Sequence, residues 1–420
     1  MNHKAIQNIA QQLRGISNNA MSIQESEFKS FRMHDGVAYS LTDEDSILYN
    51  EIVGKILKHK DFIQKFSSKY IDKKLKYIFS KLLSKESFDL EKELESLFRE
   101  LSEFEQNCSV LLRIEGVYLS ICFELGRVKF VPGDENLISA MQTKAETIIA
   151  LSKENQLGRN SIQQFFNQQV QAEIGGACVG IVEVNAEPDR AFEVAKEEVR
   201  RAIDLLRLSS KAIYPLKEDM KIGLKGENTR SNRQGFVFSD SGVNTKGDSI
   251  GSVLPFEINQ KALERMDDIG IFSISEALNK QQATNFEESL IRSIHWFSVA
   301  LTQDENCNSF LFLIVALESL FKAERGNSIG GVVAESVAML MSDTLEGRKK
   351  LVSLVREYYG KRSGVAHGGK KTISDIELHT LISISGTSIM MAIKKIPDFT
   401  SQKQFMEWFE NQKLEPVKNL

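Results

Sequence analysis

Apolar residues recur every three or four positions through most of the last third of the chain. Residues at that spacing share one face of an α-helix, which becomes buried when helices assemble. The pattern begins near Phe256 and continues to about Ile396. We therefore expect a helical bundle over residues 257–400, followed by a tail helix in residues 401–420. The clearest stripes are Phe286, Leu290, Ile294, Phe297 and Leu301; Ile329, Val333, Val337 and Leu340; and Leu378, Leu381, Ile382, Ser385, Ile389 and Ala392.

Helix-start signals divide this region further. Ser374-Asp375-Ile376-Glu377 has the capping-box pattern, in which a serine and a glutamate satisfy backbone amides at a helix N-terminus. Ser328 stands immediately before the second stripe and is the expected N-cap of that helix. In the tail, Phe405-Met406-Glu407-Trp408-Phe409 predicts a short amphipathic docking helix.

The first 256 residues divide into two regions by pattern. Residues 1–105 are highly charged, carry few turn signals and favour helices, whereas residues 106–256 contain strand-like runs rich in Val and Ile. The fold class we expect is therefore α+β, mostly α. The expected buried positions of the first region are Ile56, Leu57, Phe62, Phe66, Ile71, Leu75, Ile78 and Leu82. The predicted strands of the second region are Val117–Phe123, Arg127–Val131, Ala177–Val184 and Gly235–Phe238.

Two further features belong to the mixed region. Pro188 suits the first turn of a helix and predicts that one begins there. Apart from one strand, the Gly/Ser/Asn-rich stretch 226–251 indicates hairpin loops. The inward residues expected on the helix after Pro188 are Phe192, Ala195, Val199, Ala202 and Leu206.

Composition favours an intracellular globular protein of two or three domains. The chain has 420 residues, of which 42% are hydrophobic, and a net charge of −4, which excludes a uniformly basic nucleic-acid-binding protein. Its four scattered cysteines form no CxxC pair, so we expect neither a zinc site nor a disulfide framework. The N-terminal residues lack a signal-peptide core, and the longest apolar run, Phe310–Leu317, is too short to cross a bilayer. We expect a cytoplasmic protein without a membrane partner, metal or cofactor.

Arg362 and His367 are the residues with the clearest potential for chemistry. The arginine presents a fork of donors that fits phosphate oxygens, and histidine transfers protons near neutral pH. Positions five apart lie about 140° from each other on a helix, so the two side chains converge only across a distorted segment or a helix junction. Gly360 and Gly364, with Gly368-Gly369, indicate such a distortion. The alternative is that both residues decorate a surface helix.

Glu318 interrupts the apolar segment Phe310–Phe321, which has the composition of a central bundle helix. A carboxylate at such a position is costly unless it is paired, and Arg362 is the expected partner. Alternatively, Glu318 points to water near the end of the buried stripe. The sequence leaves both possibilities open.

Other residues near the motif are candidate contacts to a nucleic acid. Because the whole chain is acidic, any RNA contact must come from a local patch. Lys361, Lys370 and Lys371, together with Tyr359, could form one, although such clusters are more often solvated loops.

Several histidines need separate interpretation. His295-Trp296 lies off its helix stripe and is either near an active cleft or, more commonly for this pair of residues, a packed tryptophan beside a surface histidine. We expect His379 to face solvent, and His34 and His59 to be ordinary surface residues.

These segments resemble the Apea-like branch of the HEPN superfamily. The resemblance rests on Ala316-Leu317-Glu318-Ser319-Leu320, Ile294-His295-Trp296-Phe297 and Arg362-Ser363 through His367-Gly368, and it covers residues from about 258 to 397. A looser similarity extends to residues 183–191. The family signature is an arginine, four to six residues, and a histidine, with four residues between them here. Many members have Asn, Asp or His after the arginine; the serine found here, Ser363, is usual in the Apea-like branch.

The resemblance implies a dimeric helical bundle that cleaves RNA, such as tRNA or another structured RNA, without a metal. Arg362 and His367 would be catalytic, with Glu318 and Ser363 in supporting roles. Residues 1 to about 255 would restrain the nuclease or sense a trigger, such as a phage-encoded protein, or else select the RNA. The alternatives are a non-catalytic HEPN scaffold that binds a nucleotide or a partner protein, and a structural helical adaptor.

Overall fold

The computed structural model describes residues 3–22, 31–34, 37–84, 89–151, 156–215, 221–227, 231–239, 242–250, 254–322, 328–366 and 372–414. The protein is mostly helical with a smaller strand content, so the predicted α+β class is confirmed. The chain forms two compact units, Met1–Val110 with Glu183–Lys196, and Leu111–Val182 with Glu197–Leu420. The boundaries predicted near residues 105 and 256 stay predictions, because they divide the chain by element type and not by compactness.

Among its described residues, the first unit is built on four helices around a core of aliphatic and aromatic side chains. Ser67 and Asp89 cap two of these helices through their side chains, which accept hydrogen bonds from backbone amides. Six of the eight predicted buried positions are fully buried, and Leu57 and Leu82 pack at the edge of the core. Three short strands, which the sequence analysis did not predict, form an antiparallel sheet in the order β1-β3-β2. The elements are α1 (His3–Asn19), β1 (Met21–Ser22), β2 (Phe31–His34), β3 (Val37–Ser40), α2 (Asp43–Leu57), α3 (Ser68–Leu83) and α4 (Leu90–Glu103).

The mixed region contains more strands than predicted. A five-stranded sheet has the order β6-β7-β8-β4-β9, while β5 pairs in parallel with β12 and β10 pairs antiparallel with β11. The strands are β4 (Asn107–Glu115), β5 (Val117–Leu119), β6 (Phe123–Leu125), β7 (Val128–Pro132), β8 (Cys178–Asn185), β9 (Gly223–Leu224), β10 (Ser231–Ser239), β11 (Gly242–Ile250) and β12 (Phe256–Ile258).

Two strand predictions are corrected here. The single strand predicted over Val117–Phe123 is wrong, because the chain bends after Leu119 and its two halves pair with different strands. The short strand at Gly235–Phe238 is part of the longer β10, and the following residues form its partner strand and not loops. The third predicted strand is confirmed as β8.

Three helices accompany the sheet: α5 (Glu135–Ala150), α6 (Gln156–Ile174) and α7 (Pro188–Ile213). Pro188 is the first residue of α7, as predicted. Four of the five expected inward residues of α7 are buried, but Phe192 is half exposed. Ala191 and Val194, one position before and two positions after Phe192, are buried instead.

The bundle has eight helices among the described residues. All five residues of the first predicted stripe are buried, as are five of the six in the third. In the second stripe the prediction that Ile329 is buried is wrong, because this first residue of its helix is half exposed. The helices are α8 (Gln260–Asp268), α9 (Ile271–Asn279), α10 (Asn285–Ala300), α11 (Asn306–Leu320), α12 (Ile329–Met341), α13 (Leu345–Ala366), α14 (Asp375–Ile393) and α15 (Gln402–Leu414).

Side-chain caps fix several helix ends in the bundle. The predicted capping box of Ser374 and Glu377 is present at the start of α14. Ser328 is the N-cap residue of α12, but its side chain makes no capping hydrogen bond. At the other end of the bundle, the Nε2 of the buried Gln402 donates to the carbonyl oxygens of Ser319 and Leu320, each at 2.9 Å. The first residue of α15 therefore satisfies the last carbonyls of α11, which helix geometry leaves without partners.

Helix α14 combines length with an apolar composition. Within the described residues it alone is long and apolar enough to cross a membrane, and more than half of it is buried among the other helices. The central helix of a bundle has the same composition, because neighbouring helices cover it.

Candidate functional site

Arg362 and Glu318 form the predicted ion pair. Arg362 lies near the end of α13, and its Nη2 is 3.3 Å from Oε2 of Glu318 in the last turn of α11. The side chain of Glu318 is 22% exposed and that of Arg362 is 41% exposed. The carboxylate is thus neither buried alone nor pointing freely to water, and the arginine keeps part of its guanidinium accessible to a ligand.

Helix α13 is continuous through Gly360 and Gly364 to Ala366. The prediction that the helix is distorted at these two glycines is therefore wrong, since the helix is regular up to Ala366. A glycine inside a helix costs about 1 kcal/mol relative to alanine, which weakens a helix without forcing it to break. Ser363 is exposed on this helix. His367, Lys370 and Lys371 lie outside the described residues.

Tyr359 packs behind the ion pair. Burial raises the pKa of its phenol, and the Glu318 carboxylate raises it further while Arg362 opposes the change. Its ring lies against Gly330 of α12, where a Cβ would stand 2.9 Å from ring atoms. The described part of the site thus joins three helices: α11 through Glu318, α12 through Gly330, and α13 through Tyr359 and Arg362.

Lys361 points to carboxylates of the protein itself. Its Nζ lies 2.7 Å from Oε1 of Glu357 and also contacts Oε1 of Glu377, the capping-box residue of α14. Both contacts raise the pKa of Lys361, and the hydrogen bond to Glu357 has the larger effect. In return the Lys361 ammonium, together with hydrogen bonds from the side chain and backbone of Ser374, lowers the pKa of Glu377 to about 2. The lysine's charge is consequently offset within the protein, and an RNA phosphate would have to compete with two carboxylates for it.

A second polar cluster, which the sequence analysis did not predict, joins α7 to α10. Nδ1 of His295 lies 2.9 Å from Oδ2 of Asp204, and the other oxygen of Asp204 accepts a hydrogen bond from Ser298 Oγ. Arg207 donates to the same serine oxygen at 3.0 Å. The contact with Asp204 raises the pKa of His295. The sequence contained a signal for this cluster, because Asp204 and Arg207 are charged residues within the otherwise apolar run 202–208 of α7.

The structure gives the positions of His295 and Trp296, which the sequence analysis interpreted in two ways. Trp296 is packed, with its ring stacked on Phe312 at 5.4 Å between centroids. His295 is largely exposed, with 54% of its side chain accessible, but it is bound to Asp204. His379 is exposed, as predicted.

Within the described residues, no three His, Cys, Asp or Glu side chains converge as a metal site would require. No family model matches the sequence, and no curated protein or solved structure shows significant similarity to it.

Proposed function

We propose that this protein is a metal-independent endoribonuclease of the HEPN type. The observation that carries the proposal is the Glu318–Arg362 ion pair, which holds a partly accessible guanidinium near the end of α13. That arginine begins the Arg-x4-His motif whose histidine, His367, follows the last residue of the helix. A guanidinium held by a carboxylate at a helix end is suited to bind a phosphodiester.

The proposed reaction is attack of a ribose 2′-OH on the adjacent phosphorus. The 2′-oxygen forms a new bond to phosphorus, the bond from phosphorus to the 5′-oxygen breaks, and a 2′,3′-cyclic phosphate remains. His367 moves the proton from the 2′-OH to the departing 5′-oxygen. Arg362 stabilises the negative charge that builds on the phosphoryl oxygens, and Glu318 fixes its orientation. Tyr359, Ser363 and the motif's lysines would shape the RNA-binding surface.

The cellular setting belongs to the same proposal. We place the protein in the cytoplasm as a homodimer through its bundle, because a two-fold axis doubles the basic surface of one small site. An RNase of broad specificity harms its own cell, so the residues before the bundle would restrain it until a phage-encoded protein binds. In that case the trigger must bind the active arrangement more tightly than the restrained one.

Variants of the motif test the cleavage proposal. Arg362→Ala and His367→Ala should each lower RNA cleavage at least about 100-fold, because each removes a proton-transfer or charge-stabilising group. Matched controls are Arg356→Ala, an exposed arginine of the same helix, and His379→Ala, an exposed histidine. The controls should cleave like the wild type. All four variants should keep a thermal midpoint close to the wild type, and cleavage that survives both motif substitutions would refute the proposal.

A non-catalytic scaffold is the second candidate, and one observation favours it. The described cations of the motif are already engaged, Arg362 with Glu318 and Lys361 with Glu357 and Glu377. Such pairing leaves less positive charge to grip a polymer. A scaffold would bind an RNA oligonucleotide or a nucleotide without producing new RNA ends, which sequencing of cellular RNA ends after induction would show.

Regulation is best tested in the full chain. A fragment starting at residue 256 would lose α7, whose Arg207 donates to Ser298 inside the bundle. Expression in cells with and without phage infection separates the two roles of the region before the bundle. Toxicity that requires infection supports restraint, whereas equal toxicity in both conditions favours selection of the RNA.

A further inference from the structure

A cavity of about 440 Å³ opens beside the second polar cluster, at a place where α7 faces α10. We call it the His295 cleft and define it by Arg201, Asp204, Arg207, Arg292 and His295, which all line it. Its volume falls within the range of small-molecule sites, and a polymer chain would need a longer groove. None of these five residues takes part in the ribonuclease proposed above.

The histidine of this cleft is held in one orientation. Its Nδ1 faces Oδ2 of Asp204 at 2.9 Å, and Asp204 is only 13% exposed. Because a carboxylate only accepts hydrogen bonds, Nδ1 carries the hydrogen and its N–H donates a hydrogen bond to Asp204. The remaining nitrogen, Nε2, then accepts a hydrogen bond when the ring is neutral and donates one when the ring is charged.

Buried groups behind the histidine keep Asp204 in place. Arg207 donates from Nε and Nη2 to the Ile222 carbonyl oxygen, at 2.8 and 2.5 Å, and from Nη1 to Ser298 Oγ at 3.0 Å. Ser298 in turn donates to Asp204 Oδ1. The guanidinium is buried, so removing a partner from this network would leave a buried polar atom without its hydrogen bond. Such support is what a precisely oriented side chain needs.

The arginines at the rim of the cleft differ in how closely they are paired with glutamates. Arg200 makes a two-pronged contact with Glu227 at 3.1 and 2.7 Å, which offsets its charge. Arg201 and Arg292 instead face glutamates at 3.8 and 3.7 Å, with more than half of each arginine exposed. The exposed Arg292–Glu288 pair contributes little, and the 3.8 Å between Arg201 and the largely buried Glu198 is too long for a hydrogen bond. Both arginines are therefore available to an incoming anion.

We infer that the His295 cleft binds a small phosphate-bearing molecule. The phosphate oxygens contact Arg201 and Arg292, and the charged imidazole donates to them from Nε2. Arginine forks match phosphate geometry, and each charge-assisted hydrogen bond is stronger than a neutral one. The apolar side chains of Ile291 and Val299, which also line the cavity, pack against the non-phosphate part of the ligand.

Binding should tighten as the pH falls through the pKa of His295, which Asp204 raises above its ordinary value. The second proton adds both a positive charge and a donor on the side facing the ligand. Other charged groups lie around the cleft. They are Glu197, Arg200, Arg201, Asp204 and Arg207 on α7, Glu288 and Arg292 on α10, and Glu227.

Calorimetric titration of the full chain with AMP, adenosine and inorganic phosphate tests this inference. AMP should bind about ten-fold more tightly than adenosine, as expected for at least one charged hydrogen bond, and phosphate alone should compete with it. AMP should also bind more tightly at about pH 7 than at about pH 8, a range in which its phosphate, with a second pKa of about 6, remains mostly doubly charged. Arg292→Gln and Arg201→Gln should each weaken AMP about ten-fold, and His295→Gln should abolish the pH dependence.

Control variants separate this site from structural effects and from the ribonuclease. Arg265→Gln and His379→Gln, both on exposed side chains, should leave AMP binding unchanged. Arg362→Ala should also leave it unchanged, so failure of the ribonuclease proposal would not affect this result. Equal binding of AMP and adenosine, or AMP binding that Arg292→Gln and Arg201→Gln do not alter, would overturn the inference. Arg292 contacts none of the buried network, so its variant reports on binding even if His295→Gln loosens the fold.

Discussion

Replacing Gly330 by alanine tests the packing behind Arg362. A Cβ at this position would lie 2.9 Å from both Cγ and Cδ1 of Tyr359, closer than carbon atoms approach in folded proteins. The Tyr359 ring belongs to α13 and is restricted by burial, so it must shift or α12 must move away. The next residue, Gly331, provides a matched control, because its nearest neighbour would be Ser328 Cβ at an ordinary 3.7 Å.

The two substitutions should change stability in opposite directions. Overpacking costs about 1–3 kcal/mol, and the gain in helix propensity from Gly to Ala returns up to about 1 kcal/mol. Gly330→Ala should therefore destabilise the protein by roughly 1 kcal/mol, taking the middle of those ranges. Gly331→Ala receives only the gain and should be stabilised by a few tenths of a kcal/mol up to about 1 kcal/mol.

Thermal denaturation followed by circular dichroism measures both effects. A change of 1 kcal/mol corresponds to about 2–4 °C in Tm for a domain of 150–250 residues. Because Tyr359 adjoins Glu318, Gly330→Ala should also lower RNA cleavage, while Gly331→Ala should not. If both variants raise Tm equally, the Tyr359 ring is not fixed against α12, and the predicted clash at Gly330 is refuted.

Three further predictions concern acid stability, metals and assembly. The folded pKa of Glu377, about 2, lies below its usual 4.5, so its contribution to stability is present above pH 4.5 and is lost as the pH falls toward 2. Glu377→Gln should therefore reduce the drop in urea midpoint between about pH 5 and pH 2.5; an unchanged drop would contradict the Lys361–Glu377 pairing. RNA cleavage should survive EDTA, and DNA of the same sequence should remain intact because it lacks the 2′-OH; loss of activity on chelation, restored by magnesium or manganese, would overturn the mechanism. Light scattering at micromolar concentration should give the mass of a dimer, and a fully active monomer would exclude a site that depends on two subunits.

Local periodicity was enough to predict the bundle's buried faces. The stripe from Phe286 to Leu301 is buried at every predicted position, because apolar residues recur every three or four positions along an amphipathic helix. The predictions fail at positions where this spacing no longer determines burial. Ile329 begins its helix and lies half exposed, and the bend after Leu119 divides what the alternating pattern presents as one strand.

Long-range contacts were predictable only where a residue conflicted with its surroundings. Glu318 stands in an apolar helix, so the sequence offered either a pair with Arg362 or a carboxylate that points to water, and the structure forms the pair. Asp204 is an acidic residue in an apolar stretch of α7, but nothing in the sequence indicates that its partner is His295, 91 positions away. Their meeting depends on how α7 packs on α10, which no local spacing encodes.

The cap that Gln402 places on α11 has a consequence for how the protein is made. Glu318 sits in the last turn of α11, yet the carbonyls that end that turn find their partner more than 80 residues later. A ribosome adds about 5–20 residues per second, so the chain spends roughly 2–8 s between the synthesis of Arg362 and that of Gln402. During that interval the arginine exists, but the helix end that positions its carboxylate partner is incomplete. The nascent chain would thus carry the motif for some seconds before it could act on RNA, including the transcript that encodes it.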